Sequence, residues 1–263
     1  MLNTLSKITQ RNDQPNHEDR QIPETLLMPE TNRTLAYAGE SIPFHLSYSK
    51  RKTLEIAVHP DGSVVVKAPL GEDETFVEDF INKRASWIKR QIRYFAQFGP
   101  RTPKFQFVGG ESHLYLGKQY RLKIRPSDTD EVLLKRGFFH IQAVDDKPEH
   151  IAVLLEAWYW SKAEVYFTQV YEECWQLFQE RGVEKPILKI RKMKTLWGSF
   201  SVKRGITLNL ELIRAPRECI EYVVIHELCH LFHLNHGPEF YNLLEQFLPD
   251  WMKRKHRLET VLS

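Results

Sequence analysis

Four histidines, His226, His230, His233 and His236, fall within eleven residues of the stretch "VVIHELCHLFHLNHGPEF", Val223 to Phe240. One carboxylate, Glu227, directly follows the first of them. On a helix, side chains at i and i+4 leave one face a single turn apart, so the imidazoles of His226 and His230 can close on one cation. Glu227 lies too far around such a helix to share that coordination easily. It is placed instead to reach a water on the ion, which is where a general base is needed. Val223, Val224, Ile225 and Leu228 make the helix apolar, and polar rings buried there need a partner. Zn2+ is the expected one.

A hydrolytic zinc site takes three protein ligands and keeps one position open. His236 and His233 compete for the third place. The helix is expected to end soon after His230, near Asn235, and Gly237-Pro238 forces a turn. His236, on the chain that turns back, suits a third ligand. His233 would place its ring one turn beyond the ion, and it reads as a partly buried histidine with an ordinary hydrogen bond.

These residues need elements to hold them. Pro216 suits the first turn of the helix carrying the motif, and a further helix is expected from about Pro238. Upstream, "PILKIRKM" and "GITLNLELI" read as two strands separated by "KTLWGSFSVKR", with a tight spot at Gly198-Ser199. Before them, "EHIAVLLEAWYWSKAEVYFTQVYEECWQLFQERG" has the period of one long helix closed by Gly182. The earlier half is richer in β signals. "TLEIAV" and "SVVVKAP" flank a "HPDG" turn, and "KFQFVGGESHLYLGKQYRLKIRP" and "EVLLKRGFFHIQA" are punctuated by glycine. Between them "EDETFVEDFINKRASWIKRQIRYFAQF" has apolar residues at helical spacing and predicts one amphipathic helix. The fold class expected is α+β. The organisation expected is a disordered polar tail over 1–32, a β-rich subdomain with one helix over 33–146, and a zincin-like domain over 147–263, with the histidine motif on a central helix.

The totals narrow the function classes. A net charge of +3 over 263 residues does not by itself argue for nucleic acid. Three scattered cysteines, Cys174, Cys219 and Cys229, are poor material for a disulfide framework and fit a reducing compartment. With no secretory signal and no apolar run near the ~20 residues a span needs, the expectation is a cytoplasmic protein with no membrane partner.

The stretch "HELCHLFHLNHGPEFYNLLEQFLPDW", preceded by "LWGSFSVKRGITLNLELI", resembles the YgjP-like metallopeptidase domain, a zincin group related to the SprT-like peptidases. The likeness reaches back through "YLGKQYRLKI" and the Trp87 helix to "RKTLEIAVHPDGSVVVKAP" and so covers about residues 40 to 260. It implies zinc on His226, His230 and His236, with Glu227 as base. Two positions depart from the family pattern. Phe200 stands where a small residue or cysteine is usual, and Gly237 where serine is common. The ligand spacing also equals that of the metzincins, but His233 replaces their glycine and no methionine is placed for their Met-turn.

The resemblance implies zinc-assisted hydrolysis of a peptide or protein substrate. Such folds hold extended peptide along a strand edge near the zinc helix. "GITLNLELI" or the Trp197-Gly198-Ser199 segment is the expected edge, although Trp197 reads equally well as a core aromatic. Asn209 is expected to brace the loop carrying His236 and, with Trp197, Gly198 and Ser199, is a candidate substrate-binding residue. Separately, residues 181–204 hold Arg181, Lys185, Lys189, Arg191, Lys192, Lys194, Lys203 and Arg204 against Glu184 alone. A solvated strand face is the ordinary explanation. The others are a nucleic-acid-associated protease of SprT-like type or a zinc hydrolase for a non-peptide substrate such as a nucleotide. A zinc-stapled binding module is a third class, and Glu227 argues against it, because a structural site has no use for a base.

Overall fold

The computed structural model describes residues 6–11, 31–59, 61–97, 105–194 and 196–262. The architecture is α+β, in two compact units, Thr4–Arg101 and Thr102–Ser263.

In the first unit, β1 (Ser6–Arg11), β2 (Thr31–Tyr37), β3 (Glu40–Ser49), β4 (Thr53–Val58) and β5 (Val64–Pro69) form one sheet in the order β1-β4-β5-β3-β2. The expected tail over 1–32 is therefore corrected at two places. Ser6–Arg11 pairs antiparallel with β4, and β2 already begins at Thr31; the rest of 1–32 lies outside the described residues. The single amphipathic helix expected next is two, α1 (Glu74–Asn82) and α2 (Ala85–Phe95). Arg84 makes the break. Its guanidinium folds back 3.9 Å above the Phe80 ring and donates to the Phe80 carbonyl at 3.3 Å. Val77, Phe80, Ile81, Ala85 and Ile88 keep helical phase through the break, so the hydrophobic period could not reveal it.

The second unit opens with β6 (Ser112–Tyr115), β7 (Lys118–Pro126), β8 (Glu131–Lys135) and β9 (Phe138–Ala143), in the order β6-β7-β9-β8. It continues with α3 (Pro148–Trp175), β10 (Leu188–Arg191), β11 (Gly198–Ser201), β12 (Gly205–Asn209), a 3-10 turn over Leu210–Arg214, α4 (Arg217–Cys229), α5 (Pro238–Phe247) and α6 (Trp251–Val261). The boundary expected at 146/147 thus falls at 101/102. The reason is a shared core: Leu122, Phe139 and Ile141 of β7 and β9 are buried in one cluster with Ile151, Leu155 and Tyr159 of α3 and with α4. A third strand, β11, also forms where the sequence marks a tight spot at Gly198-Ser199 and a candidate peptide-holding edge. It pairs antiparallel with β12, which pairs parallel with β10.

Two contacts fix the start of α4 against this frame. The β6–β7 turn donates from the amides of Leu116 and Gly117 to the carbonyls of Ile213 and Arg214 at 3.0 and 2.9 Å. Gly117 has φ +78°, and a Cβ there would lie 2.6 Å from Pro216, so glycine is required for both conformation and space. Helix α4 is buried on nearly every side, from Cys219 to Cys229, because α3, α5, α6, β11 and β12 all pack on it.

Close to the first strand of this unit, the Glu111 carboxylate accepts from the amides of Gln106 and Phe107 at 2.7 and 2.8 Å and pairs with His113 Nε2 at 2.8 Å. The His113 ring stacks on Phe105 and is buried. Burial pushes His113 below its ordinary 6.5, against the pull of Glu111. Burial alone would raise Glu111, but these hydrogen bonds outweigh it and hold the carboxyl below 4.5. In both cases the unfolded chain binds protons more readily, so acid favours unfolding. The stability each group contributes should fall as pH drops, from about 6.5 for His113 and from about 4.5 for Glu111. Melting temperatures of the wild type and His113→Phe across that range will show it. The variant keeps a ring in the stack and should decline less steeply below pH 6.5; parallel curves would refute the assignment.

Candidate metal centre

Helix α4 delivers His226 and Glu227 from its last turn, and His230 is its C-cap. The helix stops there because the chain tightens. The amides of Leu231 and Phe232 bond to the carbonyls of Leu228 and Cys229 at 3.0 and 3.1 Å. The ending falls earlier than the sequence suggested, and it takes His233 off the helix. The returning chain brings His236 to the other two rings just before α5.

Ring nitrogens of His226, His230 and His236 all lie within 4.8 Å of one another, and the Nε2 atoms of His226 and His236 are 2.9 Å apart. Tetrahedral zinc with Zn–N bonds of about 2.1 Å sets its nitrogens about 3.4 Å apart, so this spacing suits one ion. The Nδ1–H of His230 donates to the carbonyl of His233 at 2.9 Å, which turns Nε2 towards the cluster. His233 thus contributes its backbone, while its ring sits 3.6 Å from Glu239. Burial is the main cause that pushes all three rings down: His226 well below 6.5, His230 to about 4 and His236 to about 3. They are neutral at pH 7, the form that ligates. The donor set of three neutral imidazoles, with no thiolate or carboxylate joining it among the described residues, fits a hydrolytic zinc better than a structural one.

Phe240 was not anticipated. It is fully buried, and its ring centroid lies 4.7 to 4.8 Å from those of His226, His230 and His236. The signal for it is the apolar period Phe240, Leu243, Leu244, Phe247 on α5, whose first member had to face the preceding turn. Tyr222 approaches His226 edge-on and stacks on Trp251, which also stacks on Tyr241.

Glu227 is fully buried, and the residue against it is Gly198 of β11: a Cβ built there would lie 2.8 Å from Glu227 Oε1. Trp197 is buried in the core, in line with its reading as a packed aromatic. Ser199 is half-buried and aligned with Thr207 on β12. Asn209 is placed differently from expectation. It does not reach the loop carrying His236. Its Nδ2 donates to the carbonyls of Met193 and Leu196, both at 2.8 Å, and its Oδ1 accepts from the amides of Met193 and Glu211. It braces the segment entering β11 and caps the 3-10 turn. With its amide engaged within the fold and only 1% exposed, it offers nothing to a substrate.

Residues 52–261 match the model of the YgjP-like metallopeptidase domain. The chain belongs to that family. The YgjP-like match begins at β4 of the first unit and runs almost to the end of the second, so it includes both sheets of the second unit and every element around the histidines. It makes the chain a hydrolase of the metallopeptidase class. Searches of curated proteins and of solved structures returned no match. No helix among the described residues is long and apolar enough to cross a membrane. In the basic segment 181–204, Lys185 pairs with Glu172 and Lys192 with Glu156 at 2.6 Å, while the Arg181 guanidinium lies over the Phe247 ring. Lys189, Arg191, Lys194, Lys203 and Arg204 have no carboxylate within 4.0 Å among the described residues.

Proposed function

We propose that this chain is a zinc-dependent metallopeptidase in which His226, His230 and His236 hold the ion and Glu227 is the general base. The observation that carries the reading is the convergence of three neutral imidazoles on one point, with a buried carboxylate on the adjoining helix position. Bound there, zinc would polarise the scissile carbonyl and acidify a water. Glu227 then takes the proton from the attacking water and passes it to the leaving amine. Phe240 closes the inner side of the cluster against solvent, and the exposed side of His236 leaves the site open for entry.

Peptide is the substrate class the surrounding elements suit. Of the two strand segments considered, Gly205–Asn209 is the middle strand of its sheet, hydrogen-bonded on both sides. Strand β11 is an edge, and it packs on α4 beside Glu227. Its outer backbone groups can pair with an extended peptide, as in strand addition.

The purified protein should carry one zinc per chain by elemental analysis. Stripping with a chelator should abolish hydrolysis of dye-labelled casein, and added zinc should restore it. His230→Ala should lose the metal together with the activity. Full hydrolysis by metal-free protein would overturn the reading.

A further inference from the structure

We propose that Gly198 is a positioning residue for Glu227, an assignment that rests on Glu227 being the base. Glycine at this point is not required by conformation, because Gly198 is absent from the positive-φ glycines. It is required by space. An added Cβ would meet Glu227 Oε1 and Val223 Cγ1 at 2.8 Å and Glu227 Cγ at 2.9 Å. Val223 and Glu227 are i and i+4 on α4, so the bare Cα of Gly198 faces one stripe of that helix, and the stripe ends in the carboxylate.

The question is what would move if a methyl were added. The strand cannot retreat easily, because β11 pairs with β12 from Gly198 to Ser201 and Asn209 holds the carbonyls of Met193 and Leu196 just upstream. The helix cannot retreat either, since it is packed on all sides. Of the two side chains met, Val223 is short, β-branched and buried, whereas Glu227 Oε1 is the end of a longer chain with more torsions to turn. A methyl at 198 therefore displaces the carboxylate and leaves the three histidines where they are. A misplacement of about 1 Å at a reacting group costs on the order of a hundredfold in rate.

The test is a double-mutant cycle in the full chain: Gly198→Ala, Glu227→Ala and the pair, followed by melting temperature and by kcat and KM on dye-labelled casein. Melting reports the contact without reference to activity. Gly198→Ala should lower the melting temperature, and more than half of that loss should vanish in the Glu227→Ala background. Its kcat should fall about a hundredfold with zinc content and KM near wild type, the signature of a misplaced base rather than of lost binding. Should Gly198→Ala fail to fold, recovery of a folded chain in the double variant supports the proposal. Additive melting losses, a kcat equal to wild type, or failure of both variants to fold would overturn it, since the glycine would then serve helix–sheet packing alone. If Glu227→Ala hydrolyses casein like the wild type, the assignment of Glu227 as base is what fails, and the melting cycle still decides whether Gly198 holds the carboxylate.

Discussion

Glu227→Gln will keep zinc and lose hydrolysis, with kcat reduced by about 10^2 to 10^4, the usual contribution of a positioned general base. The substitution is chosen because it changes so little else. Gln matches Glu in shape, so the fully buried side chain still fills its place between α4 and Gly198. The metal ligands are untouched, and the neutral amide cannot accept a proton from water at any working pH. Elemental analysis and casein hydrolysis on one preparation give the answer. Activity above about a tenth of wild type would mean that another group carries the proton. Loss of zinc would mean that Glu227 supports the ligands rather than the reaction.

Asn209→Ala will be the most destabilising single change near the site that leaves the ligands intact. The side chain is buried and makes four hydrogen bonds to backbone, at Met193 N and O, Leu196 O and Glu211 N. Truncation strands at least two carbonyls and removes the cap of the 3-10 turn. Leaving buried polar groups unpaired costs about 1–3 kcal/mol each, so a total loss of about 3 kcal/mol is expected. For a chain of this size that is a drop of about 10 °C in Tm. Asn209→Asp should do no better, because a carboxylate keeps the acceptor role and loses both donors. A Tm within about 2 °C of wild type for either variant would show that the strap is held by other means.

What could be read from the sequence follows the distance over which each signal acts. The histidine motif was legible because its logic is local: helical spacing for His226 and His230, then Gly237-Pro238 to turn His236 back. The sequence suggested a bracing role for Asn209 but assigned it to the wrong loop, the one carrying His236. Its partners lie 13 and 16 residues upstream, and nothing in its neighbourhood says which loop it serves. Gly198 read as a tight spot in a candidate peptide-holding edge, since a glycine names no partner; the partner is announced only when strand and helix are packed. The unit boundary was misplaced because β6–β9 have the same alternating pattern as the first sheet. What assigns them to the second unit is the burial of Leu122, Phe139 and Ile141 against α3, a tertiary fact. The break at Arg84 was hidden because the apolar residues hold their phase across it.

The three clustered histidines span only residues 226 to 236, whereas the residue that touches Glu227 comes from position 198. Closing so short a loop costs little entropy, and the cost rises slowly with length. Assembly of the histidine cluster is thus a low-contact-order event, completed within one helix end and its return. Placement of the base depends on long-range pairing between strand and helix, which forms only when the whole unit does. Metal occupancy and turnover should therefore separate across a library of variants. Weakened folding of β11 will leave zinc-loaded but slow protein, so metal content alone will overstate how many molecules are competent.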